Sequence, residues 1–107
     1  MKAHVILLTL LPTASLAATD FTTRRYTCDR GVEVPATYVT SPEGGLVVIH
    51  IEGSQITLVG ETVASGSRYS WPSDGSNYVW TTQDQTATLS WKTPEGEAVL
   101  LTCKPLS

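Results

Sequence analysis

The chain has 107 residues and a formal net charge of −3, with 16% charged and 41% hydrophobic residues. This length favours a single domain. A mildly acidic chain lacks the basic surface that binding to nucleic acid requires, so we expect no nucleic-acid partner.

The first residues predict a secretory signal peptide over 1–17. Lys2 supplies a basic residue, a short apolar stretch follows, and Ser15 and Ala17 are the small residues that precede a cleavage site. The apolar stretch is too short to span a bilayer, and no cysteine follows it that could carry a lipid. We therefore expect residues 18–107 to form one domain that is exported to the periplasm without a membrane anchor.

The remaining sequence reads as short strands rich in Val, Ile, Thr, Tyr and Trp, separated by turns rich in Gly, Pro, Ser and Asp. The predicted strands cover residues 25–28, 32–39, 46–51, 55–59, 62–64, 77–82, 86–92 and 97–103. Residues 18–23 are expected to be a loose lead-in. Pro35 lacks a backbone donor and is expected at an edge or a bulge.

Seven or eight short strands in one small domain predict an all-β, antiparallel barrel or sandwich. We favour a barrel, because closure removes free sheet edges. Only two cysteines are present, Cys28 and Cys103. In an oxidising compartment a disulfide between them is expected, which would tie the first strand to the last. A metal site or a reactive thiol is the alternative, but neither has neighbouring ligands in the sequence. No cofactor is expected.

Little in the sequence points to catalysis. His50 is the one histidine beyond the leader, and it lies within an apolar strand, so a structural role or a position on a solvent face is favoured over a catalytic role. No nucleophile-elbow motif is present. The acids that could act as a catalytic pair fall in predicted turns, where turn chemistry explains them: Glu43, Asp74, Asp84 and Glu95. We predict that the protein is not an enzyme.

Aromatic residues cluster in the second half of the chain. Tyr69, Trp71 and Tyr78 could stack on sugar rings, which would make the protein a non-catalytic binder of cell-wall glycan. Trp80 and Trp91 are expected to fill the barrel core instead, because a small domain needs their area.

The segment 65–69 is the strongest candidate for a binding loop. It reads Ser-Gly-Ser-Arg-Tyr between two predicted strands, and short polar loops on rigid β scaffolds often carry binding functions. Gly66 is expected to give the loop a conformation that other residues resist. Arg68 either contacts a ligand or stacks on Trp71 or Tyr69.

The sequence resembles the membrane-bound and periplasmic inhibitors of c-type lysozyme. Residues 26–28 resemble the opening of that family and residues 101–103 its closing segment. The family signature of serine, glycine, two residues and tyrosine is matched by Ser65, Gly66 and Tyr69. The resemblance implies a small flattened barrel with a terminal cysteine pair, and a c-type lysozyme as the protein partner.

A second family signature has a tyrosine, three residues, then threonine, lysine and glycine. Tyr78 and Thr82 match its first part, but Gln83 and Asp84 stand where the lysine and the glycine are expected. In the family, the serine and the lysine enter the lysozyme cleft. Gln83 offers only a neutral hydrogen bond there, and Asp84 brings a negative charge towards a cleft that works through two carboxylates.

The resemblance implies a function in which inserted loops block the lysozyme cleft. A scaffold of the same family that has acquired another role in the cell envelope is the further alternative. The residues expected to form or support the lysozyme-binding face are Ser65, Gly66, Arg68, Tyr69, Tyr78, Thr82 and Gln83.

Overall fold

The computed structural model describes residues 19–42 and 44–106. It contains eight strands: β1 (Asp20–Cys28), β2 (Glu33–Ser41), β3 (Gly44–Ile51), β4 (Ser54–Glu61), β5 (Ser67–Ser70), β6 (Asn77–Gln83), β7 (Thr86–Thr93) and β8 (Gly96–Pro105). A short 3-10 turn, Asp29–Gly31, joins β1 to β2. Sequence neighbours pair antiparallel, and β8 returns to β1, which closes the barrel. The predicted all-β barrel is confirmed, whereas the predicted signal peptide lies outside the described residues.

Alternation along the strands places one face of each strand in the barrel interior. The largest fully buried side chains are Trp80, Ile49, Leu58, Leu89, Val34, Val47 and Val79. The indole N–H of Trp80 donates to the hydroxyl of Tyr38 at 2.8 Å, and that hydroxyl lies 2.7 Å from the hydroxyl of Tyr26. Burial, followed by the bond to Tyr26, raises the pKa of Tyr38 well above its ordinary value. The indole N–H of Trp80 and the hydroxyls of Tyr38 and Tyr26 therefore form hydrogen bonds with one another inside the barrel.

The second tryptophan predicted for the core does not lie there. Trp91 is 37% exposed, and its ring packs edge-on against Tyr78 with the centroids 4.9 Å apart. The reason lies in β7, where Leu89 already contacts the core and a register irregularity with β8 follows it. The prediction was correct for Trp80 and wrong for Trp91.

The barrel closes along a short seam. Only residues Tyr26–Cys28 of β1 pair with β8, in the register that places Cys28 opposite Cys103. These two cysteines form a disulfide, as predicted. The carboxylate of Asp29 also accepts a hydrogen bond from the backbone N–H of Thr102 at 2.9 Å. A covalent bond and a side-chain bond therefore reinforce the seam.

Two strand predictions were wrong at their boundaries. β1 begins at Asp20, so residues 20–23 are not a loose lead-in: they pair with β2 from Thr37 to Thr40. Residues 62–64 are not a strand, because β4 continues to Glu61 and the chain is then irregular until Ser67. Pairing with a neighbouring strand decided both boundaries.

Pro35 lies within β2, opposite Arg25 of β1. Pairing of β2 with β3 starts one residue later, at Ala36 and Ile49. Among residues 19–42 and 44–106, Pro35 thus has a neighbouring strand on one side only, and a residue without a backbone donor is tolerated at such a place.

The alternating strand direction brings several connections to the same end of the barrel. This end, which we call the loop end, carries the start of β1, the β3 start, the 62–66 loop, the β6–β7 turn and the end of β8. The β3–β4 turn and the segment 71–76 lie at the opposite end.

Candidate functional site

An open cleft at the loop end brings together parts of both predicted binding signatures. Its volume is about 450 Å³, and it lies between the 62–66 loop and strands β5 to β7. The lining residues are Val63, Ser65, Ser67, Arg68, Thr81, Thr82, Gln83, Thr86 and Thr88. Ser65, Arg68, Thr82 and Gln83 therefore share this cleft, although they come from two separate signatures.

Gly66 joins the loop to the β6–β7 hairpin. Its φ of 69° is in the left-handed region that L side chains rarely adopt. A Cβ atom at this position would collide with the carbonyl oxygen of Thr82 and would lie 3.4 Å from Cβ of Gln83. Only a residue without a side chain allows the loop to lie directly on the hairpin, which sets the position of Ser65 beside Gln83.

The segment 65–69 is only partly a loop. Ser65 and Gly66 are irregular, whereas Ser67, Arg68 and Tyr69 belong to β5. The prediction of one continuous loop was therefore wrong after Gly66. The strand part pairs with both β4 and β6, which fixes Arg68 and Tyr69 in the sheet.

The β6–β7 hairpin carries the second signature. Gln83 is the last residue of β6 and pairs with Thr86, so the turn consists of Asp84 and Gln85 rather than the predicted residues 83–85. Asp84 has a φ of 56°. The position at which the family resemblance places a glycine thus requires a left-handed backbone, and aspartate adopts it with more strain than glycine.

Arg68 forms an ionic group with residues of its own chain. Its Nε lies 3.2 Å from Oε2 of Glu61, and its terminal nitrogens bond to the carboxylate of Glu97. The hydroxyl of Ser70 also donates to Glu61. The bonds to Glu97 raise the pKa of Arg68, and the same bonds hold the pKa of Glu97 below its usual value. Arg68 therefore supports the wall of the cleft and is not a free cation.

The three aromatic residues predicted for a glycan-binding platform have different surroundings. Tyr69 packs against Tyr38, with ring centroids 5.7 Å apart, and against the core. Tyr78 also packs on the core and contacts Trp91. Trp71 is 45% exposed and lies in a second groove that includes Pro72, Asp74 and Lys92. The described geometry does not assemble these rings into one stacking surface.

The residues considered for catalysis and metal binding lie elsewhere. His50 is exposed on β3, opposite Gln55, away from the cleft. In residues 19–42 and 44–106, no three His, Cys, Asp or Glu side chains are grouped so that they could hold a metal ion. The cleft offers hydroxyl and amide groups, which suit binding to another molecule rather than proton transfer.

Sequence reasoning missed several residues of the site. Val63, Thr81 and Thr88 line the cleft, and the alternation of β6 and β7 could have placed the two threonines on one face. Glu61 and Glu97 hold Arg68. Glu61 lies directly opposite Arg68 in the β4–β5 ladder, so its position follows from the pairing of these two neighbouring strands. No local signal in the sequence connects Glu97 of β8 to Arg68, because that contact depends on the way the sheet curves around the barrel.

A family model described as membrane-bound lysozyme-inhibitor of c-type lysozyme matches residues 26–98. The chain belongs to this family. The match runs from the end of β1 to the start of β8 and therefore includes both walls of the cleft. The name of the family describes inhibition and a membrane-bound location, which is a location in the cell envelope.

A relative from Cupriavidus necator, named membrane-bound lysozyme inhibitor of C-type lysozyme, is 35% identical over 65 residues. The match covers 61% of this chain and 49% of the relative, so the chain spans about half the length of the relative that it matches.

A solved structure supports the fold. The crystal structure of Pseudomonas aeruginosa MliC in complex with hen egg white lysozyme matches with a TM-score of 0.65 and 24% sequence identity, and covers 99% of this chain and 100% of that chain. At this identity the likeness shows a shared fold. Within residues 19–42 and 44–106, no helix has the length and hydrophobicity that crossing a membrane would need.

Proposed function

We propose that this protein inhibits a c-type lysozyme by placing the loop end of its barrel into the lysozyme cleft. The observation that carries the proposal is that Ser65 and Gln83 line one cleft at this end, held together by the close approach of Gly66 to Thr82. The family to which the chain belongs is described by this activity. The loop end is therefore the surface most suited to contact lysozyme.

Neutral hydrogen bonds supply the proposed contacts. Ser65 and Gln83 are both exposed, and the hydroxyl and the amide can each donate to the carboxylates of a lysozyme cleft. Arg68 is engaged by Glu61 and Glu97, so we assign it a supporting role rather than a direct contact. Asp84 adds a negative charge at the turn, which weakens binding to an acidic cleft.

The remaining predicted residues act by supporting the surface. Gly66 permits the position of the loop, because it packs directly on the backbone of Thr82. Tyr69 fixes β5 by packing against the core. Tyr78 contributes further from the cleft, by packing with Trp91. Inhibition in this scheme is steric exclusion of the substrate, so the protein performs no reaction of its own.

We also propose that residues 1–17 direct export and that the protein acts in the periplasm, where a lysozyme would meet it. The leader sequence supports this proposal, and the disulfide is consistent with an oxidising compartment. Mass spectrometry of the exported protein should give a chain that starts at Ala18 and carries no acyl group. A retained leader or a lipid adduct would contradict the proposal.

A titration of purified protein against hen egg white lysozyme tests the activity. We expect loss of lytic activity at near-stoichiometric ratios, independent of the amount of cell-wall substrate once the complex has formed. Sedimentation of the protein with peptidoglycan, without inhibition of the free enzyme, would instead support a glycan-binding role.

A variant locates the contact. Ser65→Trp introduces a bulky side chain into the proposed interface, and we expect it to abolish inhibition while the fold persists, because Ser65 is exposed. Ser54→Trp is the matched control: Ser54 is also exposed but lies at the opposite end of the barrel. Equal inhibition by both variants would mean that the loop end does not bind lysozyme.

A further inference from the structure

The two sides of β1 are unequally paired. β1 pairs with β2 from Asp20 to Thr27, but with β8 only from Tyr26 to Cys28. One further bond, from the backbone N–H of Leu106 to the carbonyl oxygen of Arg25 at 2.9 Å, extends the contact with the C-terminal segment. Among the residues that the structure describes, the stretch 20–24 thus has a strand on one side only. An exposed strand edge of this kind is a template for pairing with another strand.

The bond to Leu106 also tells which residues present their backbone groups at this edge. The carbonyl of Arg25 points towards the β8 side. In an antiparallel ladder, alternate residues direct their N–H and C=O groups to the same side. Phe21 and Thr23 therefore offer unpaired backbone groups along the edge. The side chain of Phe21 is 74% exposed, so the unpaired edge also presents one large apolar side chain.

We propose that this edge pairs with the same edge of a second copy of the chain, in an antiparallel arrangement about a twofold axis. Such an axis is perpendicular to the sheet, so the side chains of two directly opposed residues must lie on the same face. Because side chains alternate between the faces along a strand, the two residue numbers must then be both even or both odd. Centring the axis on Thr22 sets Phe21 opposite Thr23 of the second copy, where each exchanges both backbone bonds. The inference does not depend on lysozyme inhibition.

The charges of Asp20 and Arg24 favour the register centred on Thr22 and favour a second copy of this chain as the partner. With the axis on Thr22, Asp20 lies opposite Arg24 of the second copy, and the symmetry repeats the pair. Opposite charges in directly opposed positions stabilise a strand pair. Centring the axis on Phe21 or on Thr23 leaves Asp20 opposite an uncharged residue. The edge carries an acid at one end and a base at the other, so its antiparallel complement is itself.

The interface is small, which sets the expected affinity. Only five residues of each strand take part, and interfaces below about 1,200 Å² are usually weak or transient. We expect a dissociation constant on the order of 10 to 100 μM. Salt should weaken the dimer, because the charged pairs lie at the surface.

Sedimentation analysis of the purified protein over a wide concentration range tests the proposal. We expect reversible dimers, and a loss of association of about tenfold or more in each charge reversal, Asp20→Arg and Arg24→Asp. The double reversal should restore the parental affinity, because it exchanges the two charges. Asp74→Arg is the matched control: this exposed aspartate lies outside the edge, and the variant should associate as the parent does.

A backbone variant tests the pairing itself. Thr23→Pro removes an N–H that faces the free edge and leaves the ladder with β2 intact, so the variant should fold and remain monomeric. Three results would overturn the proposal. These are a monomeric parent at every concentration, dimers that survive both single reversals, and a double reversal that fails to restore association although circular dichroism shows folded protein.

Discussion

The two segments that build the candidate cleft meet at the same end of the barrel but are held in different ways. Residues 62–66 belong to no strand, and the position of this loop depends on the close approach of Gly66 to the backbone of Thr82 in β6. The β6–β7 turn is a local structure, in which Asp84 and Gln85 connect two strands that pair along their length. The first segment is therefore set by tertiary contact and the second by the hairpin.

This difference teaches where each segment is sensitive to change. A side chain added at Gly66 must displace a neighbouring strand, whereas a change in the turn alters only local backbone strain and local charge. Gly66 should therefore respond mainly in stability, and the turn mainly in binding. The predictions below use that contrast, starting with the largest expected effect.

The sharpest way to break the loop is Gly66→Ala. The new Cβ would meet the carbonyl oxygen of Thr82 and would require a left-handed backbone. We expect a loss of about 2 to 4 kcal/mol in the free energy of unfolding, from steric overlap and backbone strain together. Chemical denaturation monitored by circular dichroism would measure it.

Gly53→Ala is the control for this change. Gly53 has a φ of 83°, but nothing lies within 4 Å of its added Cβ. It should cost about 1 kcal/mol from backbone strain alone. Equal losses in both variants would show that the loop does not depend on its contact with the hairpin.

The turn should respond in binding when the family pair is restored. Gln83→Lys with Asp84→Gly replaces a neutral contact by a charged one and removes a repulsive acid. We expect inhibition of lysozyme to tighten by about 1 to 3 kcal/mol, which is roughly ten- to a hundredfold. The gain should shrink at high salt. Inhibition constants for parent and variant decide it.

Gln85→Lys with Asp84→Gly is the control, because it changes the charge of the turn by the same two units but leaves residue 83 neutral. It should recover only the part of the gain that comes from long-range attraction and from removal of the acid at residue 84. If it matches Gln83→Lys with Asp84→Gly, general charge rather than the position of residue 83 governs binding.

Asp84→Gly alone should show how much backbone strain in the β6–β7 turn costs in stability. A glycine relieves the left-handed strain at φ 56°, and we expect unfolding to become harder by up to about 1 kcal/mol. Glu52→Gly, at φ 46° in the β3–β4 turn, should gain more, because aspartate tolerates this conformation better than glutamate. Thermal unfolding would compare them. A loss of stability in both variants would argue against strain at these turns.

The smallest expected effect concerns the ionic group of Arg68, Glu61 and Glu97, which supports the wall of the cleft. Hydrogen bonding to Arg68 lowers the pKa of Glu97 in the folded protein. The group therefore contributes stability above the ordinary glutamate pKa, and that contribution is lost as the pH falls through the lowered folded value. For Glu97→Gln we expect a loss of about 0.2 to 1 kcal/mol near neutral pH, because the pair is partly exposed, and no difference in strong acid.

Denaturation of parent and variant at several pH values measures this effect. Glu33→Gln is a control in a more exposed ion pair, in which Oε1 of Glu33 lies 2.9 Å from Nη2 of Arg25. A difference between Glu97→Gln and the parent that grows towards acid would contradict the role of Arg68.

Much of the fold could be predicted from the sequence. Alternating β-branched and aromatic residues, broken by Gly and Pro turns, indicate an antiparallel barrel because each strand needs one buried face. Cys28 and Cys103 indicate its closure, because the leader predicts an oxidising compartment. The β6–β7 hairpin was also predictable, since the two strands are adjacent in sequence and their pairing is local.

Only the tertiary structure decided the rest. The extent of β1 depends on its partner β2, and the exposure of Trp91 depends on a register irregularity in β7 that no periodicity reveals. The sequence by itself determined which residues carry the family signatures. The barrel decided that Ser65 and Gln83 share one cleft and that Glu97 of β8 reaches Arg68 of β5. Contacts between strands distant in the chain depend on how the sheet curves, and curvature arises from packing of the whole core rather than from any local pattern.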